Sequence, residues 1–238
     1  RYAEQIYPGL YKEGAQSEDE KWYAAEYGPQ GKNIAGRILQ ANLRAALVTD
    51  FFIADGADEV TYSPRTTYRG YQYIQITLPS HQGALPLNSI KGLVLSSDSL
   101  PTGIYHAETY DEVTGKLANQ LFKNIQRSQL GNFFTLPTDC PQRNERMGWT
   151  GDAQAYTRTA TYNSDVYGFF RQWMRSLRAD QSAEGGIGST IPEYTCERPT
   201  GFPDGTTWSA AICMVPWQLY SQYGDKRIVE DNLDAMVR

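Results

Sequence analysis

The spacing of apolar residues changes once along the chain, and that change limits the folds open to it. Up to about residue 100 they alternate or run in short bursts; from about residue 105 they recur every three to four positions. Tyr71 to Leu78 places Ile74, Ile76 and Leu78 on one face and Tyr73, Gln75 and Thr77 on the other, which predicts a strand. Ile90 to Leu95 is a second run rich in β-formers, bounded by Pro86 and Asn88 before it and serines after it. Gly56, Pro64 and Gly70 punctuate the region as turns. Gly36 to Phe52 stays open: Leu39, Leu43, Ala46 and Leu47 have helical spacing, but no clear cap supports a helix.

In the second part, Val113, Leu117, Leu121 and Ile125 share one helical face, with Asp111 placed to cap it. A second helix is expected to open near Asp152. A third runs from Asn163 to Ala179 through Val166, Phe169, Phe170, Trp173 and Leu177. Ser182 to Gly205, rich in Gly, Pro and Thr, reads as a long loop. Trp208, Ala211, Ile212, Val215, Leu219 and Tyr220 mark a further helical stretch, in which Pro216 either makes a kink or opens a new helix. Asp225 to Val237 reads as one last helix. Strands followed by helices predict two packed units in series, residues 1–100 and 101–238.

Composition narrows the function classes. Hydrophobic residues make up 40% of the 238 positions and charged residues 21%, enough for a buried core. The net charge of −5 comes with scattered basic residues, so no footprint for nucleic acid is present. The longest uncharged run, Thr206 to Gly224, contains Ser209, Pro216, Gln218, Ser221 and Gln222, and reads as buried helix rather than a membrane span. The segment starts at Arg1 without a signal or transit sequence and reads as soluble; its compartment is not legible. Three cysteines, Cys140, Cys196 and Cys213, have no metal-ligand spacing and read as unpaired, mostly buried thiols. The only histidines, His81 and His106, exclude a His-rich metal site, and no G-x-S-x-G elbow marks a nucleophile. No cofactor or metal is expected. Aromatic residues, 13% of the chain with 17 Tyr and 5 Trp, suit both sugar binding and an ordinary aromatic core.

One segment concentrates chemistry. From Pro137 to Asp152 the chain reads Pro-Thr-Asp-Cys-Pro-Gln-Arg-Asn-Glu-Arg-Met-Gly-Trp-Thr-Gly-Asp. Prolines and glycines fix a non-helical path that carries Asp139, Glu145 and Asp152, Arg143 and Arg146, and Trp149. A polar pocket with an aromatic wall is how sugar sites are built, and glycoside hydrolysis commonly uses two carboxyl groups. Burial beside Met147 and Trp149 would raise a carboxyl pKa, as a general acid requires; pairing with Arg143 or Arg146 would lower it. Spacing leaves open which carboxyl is the acid, and whether the charges form a network that only stiffens a loop.

Thr138 to Gln154 resembles the D-C-P-Q-R-D-E-R-x-G-W-T-G-D-A-Q signature of bacterial α-L-rhamnosidases, the family-78 glycoside hydrolases, over some fifteen positions. Tyr62-Ser63-Pro64-Arg65 through Tyr68-Arg69-Gly70-Tyr71-Gln72-Tyr73 is similar to the P-R-F-x-x-x-G-F-R-Y stretch of the β-sandwich preceding that family's catalytic domain. Val215-Pro216-Trp217-Gln218-Leu219-Tyr220 with Gly224-Asp225 resembles a later helix of its barrel. The resemblance implies the end of a β-sandwich followed by the first part of an (α/α)6 barrel, an incomplete toroid. It implies Glu145 as general acid, and Asp139, Arg143 and Asp152 as partners of rhamnose hydroxyls. Trp149 and Trp208 would be walls for the sugar.

The family inverts configuration, which requires a base opposite the acid. The resemblance places that base on a Glu of a later helix that these residues do not contain, and nothing marks Asp225, Glu230, Asp231 or Asp234 as a substitute. Asn144 stands where the signature has Asp, and Trp208-Ser209-Ala210 replaces a W-x-D-A pattern, which puts an acidic contact there in doubt. The expected partner is a rhamnose-containing glycoside or polysaccharide. Alternatives are a non-catalytic rhamnose-binding fragment or scaffold, and a related exo-glycosidase with another sugar preference. An incomplete toroid would also leave the last helix without neighbours, exposing an apolar surface through which copies self-associate.

Overall fold

The computed structural model describes residues 1–6, 38–43, 46, 48–56, 59–79, 83, 85–97, 99–108, 111–194 and 206–238. His81, Cys196, Leu47 and the second half of the Ser182–Gly205 stretch lie outside them. The chain divides into two compact units: Arg1–Leu93 with Pro141–Asn144, and Val94–Cys140 with Glu145–Arg238.

In the first unit, β1 (Tyr2–Ala3) pairs antiparallel with β4 (Tyr73–Ile74), Tyr2 opposite Ile74. β2 (Gln5–Ile6) pairs antiparallel with β3 (Ile38–Leu39). Ala3, Leu39, Leu43 and Val48 are its buried apolar residues among those described. Gln40 clasps them by donating to the carbonyls of Tyr2 and Val48, at 3.2 and 2.9 Å. The strand expected over Tyr71–Leu78 shrinks to two residues, and Ile90–Leu95 forms none: a 3-10 turn at Leu87–Ser89 leads into chain with no pairing among the described residues. Ile74, Ile76, Leu93 and Val94 are exposed, so the alternation has no packed face to reward it.

The second unit is helical: α1 (Glu112–Asn132), α2 (Thr150–Asn163), α3 (Tyr167–Asp180), α4 (Thr206–Ser209), α5 (Ala211–Tyr223), α6 (Arg227–Glu230) and α7 (Leu233–Val237). Asp111 caps α1 by accepting from the amides of Val113 and Thr114. A tight hairpin, β5 (Phe133–Phe134) and β6 (Leu136–Pro137), follows it, with Thr135 at its apex in left-handed backbone (φ 65°). α2 buries small residues, Ala153, Thr157, Ala160 and Thr161, which lets it pack closely on α5. Phe170, Trp173, Met174 and Leu177 of α3 join Val215, Leu219 and Ile228 in the core. Phe133 stacks on Phe169 at 4.5 Å, closing this core beside the hairpin.

Pro216 starts no new helix; α5 runs through it. The single helix expected over Asp225–Val237 is instead two short ones, because buried Asn232 donates to the Ile228 carbonyl (2.6 Å) and accepts from Arg178. The apolar stripe of α1 is largely exposed: Val113 is 63%, Leu117 65% and Leu121 60% accessible. Cys140 is buried as expected, whereas Cys213 is exposed on α5. Among the described residues no helix is long and apolar enough to cross a membrane.

Candidate active site

The segment rich in charge begins where β6 leaves the hairpin. Thr138 donates from both its amide (3.0 Å) and its hydroxyl (2.8 Å) to the carbonyl of Asn132, fixing the next residue, Asp139, against the end of α1. The amide of Asp139 donates to the Met147 carbonyl (3.0 Å), and the Met147 amide donates back to Asp139 Oδ1 (2.8 Å). This reciprocal pair closes a neck. Between its two sides the chain passes through Pro141–Asn144, which groups with the first unit, and re-enters the second at Glu145. Arg146 lies in left-handed backbone (φ 50°), an uncommon state for a residue with a side chain.

The two glycines that follow are required by close approach. Gly148 runs against Ile191: the Ile191 amide donates to the Gly148 carbonyl (2.8 Å), and a Cβ on Gly148 would run into the Ile191 carbonyl oxygen. One residue on, Trp149 forms a bridge with Thr190, and the Thr150 amide donates to Ser189 (2.9 Å). The described part of the stretch read as a long loop is without helix or strand, and it buries Ile187, Ser189, Thr190 and Ile191, serving as the rail that sets Trp149. At Gly151 an added Cβ would lie 2.6 Å from the indole nitrogen of Trp208, so this glycine seats the Trp208 ring on the first turn of α2.

Within the second unit the structure brings Asp139, Glu145, Trp149 and Asp152 together. A carboxylate oxygen of Asp139, one of Glu145 and the Cys140 Sγ lie within 4.8 Å of one another. Trp149 Nε1 donates to Glu145 Oε1 at 3.1 Å. Asp139 and Asp152 line a cavity of about 280 Å³ with Gln129, Asn132, Phe133, Tyr156 and Phe170. Burial raises the Asp152 carboxyl above its ordinary range, and the charges of Asp139 and Glu145 push the same way. Arg143 belongs to the first unit, where its charge partly offsets the burial that raises the Glu4 carboxyl.

Sequence reasoning missed the cavity's inner wall. Gln129 is buried, and its Oε1 accepts from Tyr156 Oη (3.1 Å) and Asn163 Nδ2 (3.0 Å). A signal existed. Gln129 is the next position in the four-residue series Val113, Leu117, Leu121, Ile125, and a polar residue on an apolar row indicates a buried hydrogen-bonding role.

Residues 112–238 match the bacterial alpha-L-rhamnosidase 6 hairpin glycosidase domain, and residues 30–96 the bacterial alpha-L-rhamnosidase concanavalin-like domain. An alpha-L-rhamnosidase of Formosa agariphila is 35% identical over 84% of this chain and 21% of its own length. One from Alteromonas sp. is 34% identical over 87% of this chain and 22% of its own. The Streptomyces avermitilis alpha-L-rhamnosidase solved in complex with L-rhamnose superposes with a TM-score of 0.74 at 31% identity, covering 99% of this chain and 19% of that one. The chain spans about a fifth of the length of the curated relatives it matches. With more than half its residues under one family model, the chain belongs to the bacterial alpha-L-rhamnosidase 6 hairpin glycosidase family.

Proposed function

We propose that this chain carries the proton-donating, sugar-binding part of an enzyme that removes terminal α-L-rhamnose from glycosides or polysaccharides with inversion of configuration. The observation that carries the reading is the convergence of Asp139, Glu145 and Asp152 beside Trp149, in the segment that bears the family signature. Glu145 is the general acid. It donates its proton to the glycosidic oxygen as the C1–O bond breaks and the bonding pair stays on that oxygen, while water adds to C1 from the opposite face and gives up a proton to the base. Asp139 and Asp152 hold the rhamnose hydroxyls, and Trp149 and Trp208 wall the ring.

Residues 1–100 are the end of the β-sandwich, and residues 101–238 the first part of the (α/α)6 barrel. The resemblance to the family puts the base outside these residues. Asp139 is too close to Glu145 to serve, since inverting pairs stand roughly 6.5–9.5 Å apart to admit water. Asp225 and Asp231 are already engaged, by Arg227 (2.6 Å) and Arg171 (3.2 Å). The test is hydrolysis of p-nitrophenyl α-L-rhamnopyranoside by a protein that joins these residues to the rest of the barrel, with the anomer of the released sugar followed by proton NMR. β-Rhamnose as first product supports the reading. α-Rhamnose would overturn inversion and point to Asp139 as a nucleophile.

A further inference from the structure

We propose that Trp149 is a positioning residue for proton delivery: its indole N–H engages Oε1 of Glu145 and thereby assigns the acidic proton to Oε2. This rests on the reading of Glu145 as general acid.

A carboxyl group can present either oxygen to its substrate by rotation about its last torsion, so a general acid needs something that tells the two apart. The indole Nε1–H is a donor only and cannot accept. A carbonyl oxygen accepts from it better than a hydroxyl oxygen does, so the contact favours the unprotonated oxygen on that side in both states of the acid. In this chain that oxygen is Oε1, at 3.1 Å. The indole is well rooted for the task. Trp149 is bridged to Thr190, and the residues on either side of it are tied to Ile191 and Ser189 through the Gly148 carbonyl and the Thr150 amide. Glu145 is anchored from the other direction, because the Asp139–Met147 neck closes two residues beyond it. Both ends of the contact are held by backbone, which fixes how far apart the two side chains start.

The contact also acts during the reaction. As Oε2–H passes its proton to the departing oxygen, negative charge develops on the Glu145 carboxylate. A hydrogen bond to a charged acceptor is about twice as strong as one to a neutral acceptor. The Trp149 bond thus strengthens along the reaction coordinate, which is the condition for an interaction to accelerate a step rather than merely bind. Trp149 is then more than an apolar wall for the sugar.

Trp149→Phe keeps most of the wall and deletes the donor. On methyl α-L-rhamnopyranoside, whose leaving group needs protonation, kcat is expected to fall about tenfold. On 2,4-dinitrophenyl α-L-rhamnopyranoside, which departs without proton assistance, kcat should change little, and KM should move equally for both. An equal fall in kcat on both substrates would overturn the proposal in favour of a purely structural or wall role. A second measurement does not require the Phe variant to fold. In a ¹H–¹⁵N spectrum of the indole groups, Glu145→Gln should move the Trp149 resonance upfield and Asp152→Asn should leave it within the spread of the other indoles. A Trp149 resonance indifferent to Glu145→Gln would refute the contact. These rates are read in a protein that joins these residues to the rest of the barrel; there, a wild type that cleaves neither rhamnoside would instead refute the enzymatic reading, and the spectrum separates that failure from a missing contact.

Discussion

At Asp152 the helix and its surroundings pull in opposite directions. A carboxylate in the first turn of α2 is favoured by the helix dipole, yet burial raises its pKa and the charges of Asp139 and Glu145 add to the rise. The folded chain therefore holds this proton more tightly than the unfolded chain does. Stability on that account is highest below the ordinary Asp range and declines as pH rises through the raised value. Asp152→Asn should accordingly raise the melting temperature near neutral pH, with the gain vanishing below about pH 4. A gain that grew toward acid would contradict the assignment. Gly148 and Gly151 give contrasting expectations. Gly148→Ala meets backbone and should destabilise the chain by about 1–3 kcal/mol in urea unfolding. Gly151→Ala meets the Trp208 ring, and should mainly alter tryptophan fluorescence and weaken sugar binding. The segment Pro137 to Asp152 was readable as a site because charges, Trp and rigid residues crowd it. Its rail at Ser189–Ile191 was not, because the Gly- and Thr-rich composition of that stretch is also that of a solvent loop.

At the scale of elements, helices were far more legible than strands. The four-residue series from Val113 and the cap at Asp111 define α1, and the Val166–Leu177 pattern defines α3, since both depend on local spacing. The Tyr71–Leu78 alternation overstates β4, because a strand is completed by a partner and a packed face that spacing cannot supply. Asn232 divides the last helix through contacts with Arg178, 54 residues away, and with Ile228. Distant partners of this kind leave no periodic trace. The same holds for Gln129, whose place in the apolar row was visible but whose partners Tyr156 and Asn163 were not.

For the whole molecule, the return of Pro141–Asn144 to the first unit is the feature that periodicity could least have announced, since it depends on long-range contacts alone. An exposed apolar surface was expected on the last helix. Leu233 and Val237 there are indeed accessible, but a longer stripe lies on α1, at Val113, Leu117 and Leu121. We expect concentration-dependent self-association in sedimentation velocity, suppressed by Leu117→Gln with Leu121→Gln; an association unchanged by that pair would place the contact elsewhere. The most direct test of the central claim concerns Glu145. Rhamnoside turnover and rhamnose binding are measured side by side, for wild type and Glu145→Gln, in a protein that joins these residues to the rest of the barrel. The account predicts that the substitution removes turnover, by about 10²–10⁴-fold, while leaving binding nearly intact. Turnover retained in Glu145→Gln, with binding unchanged, would contradict it.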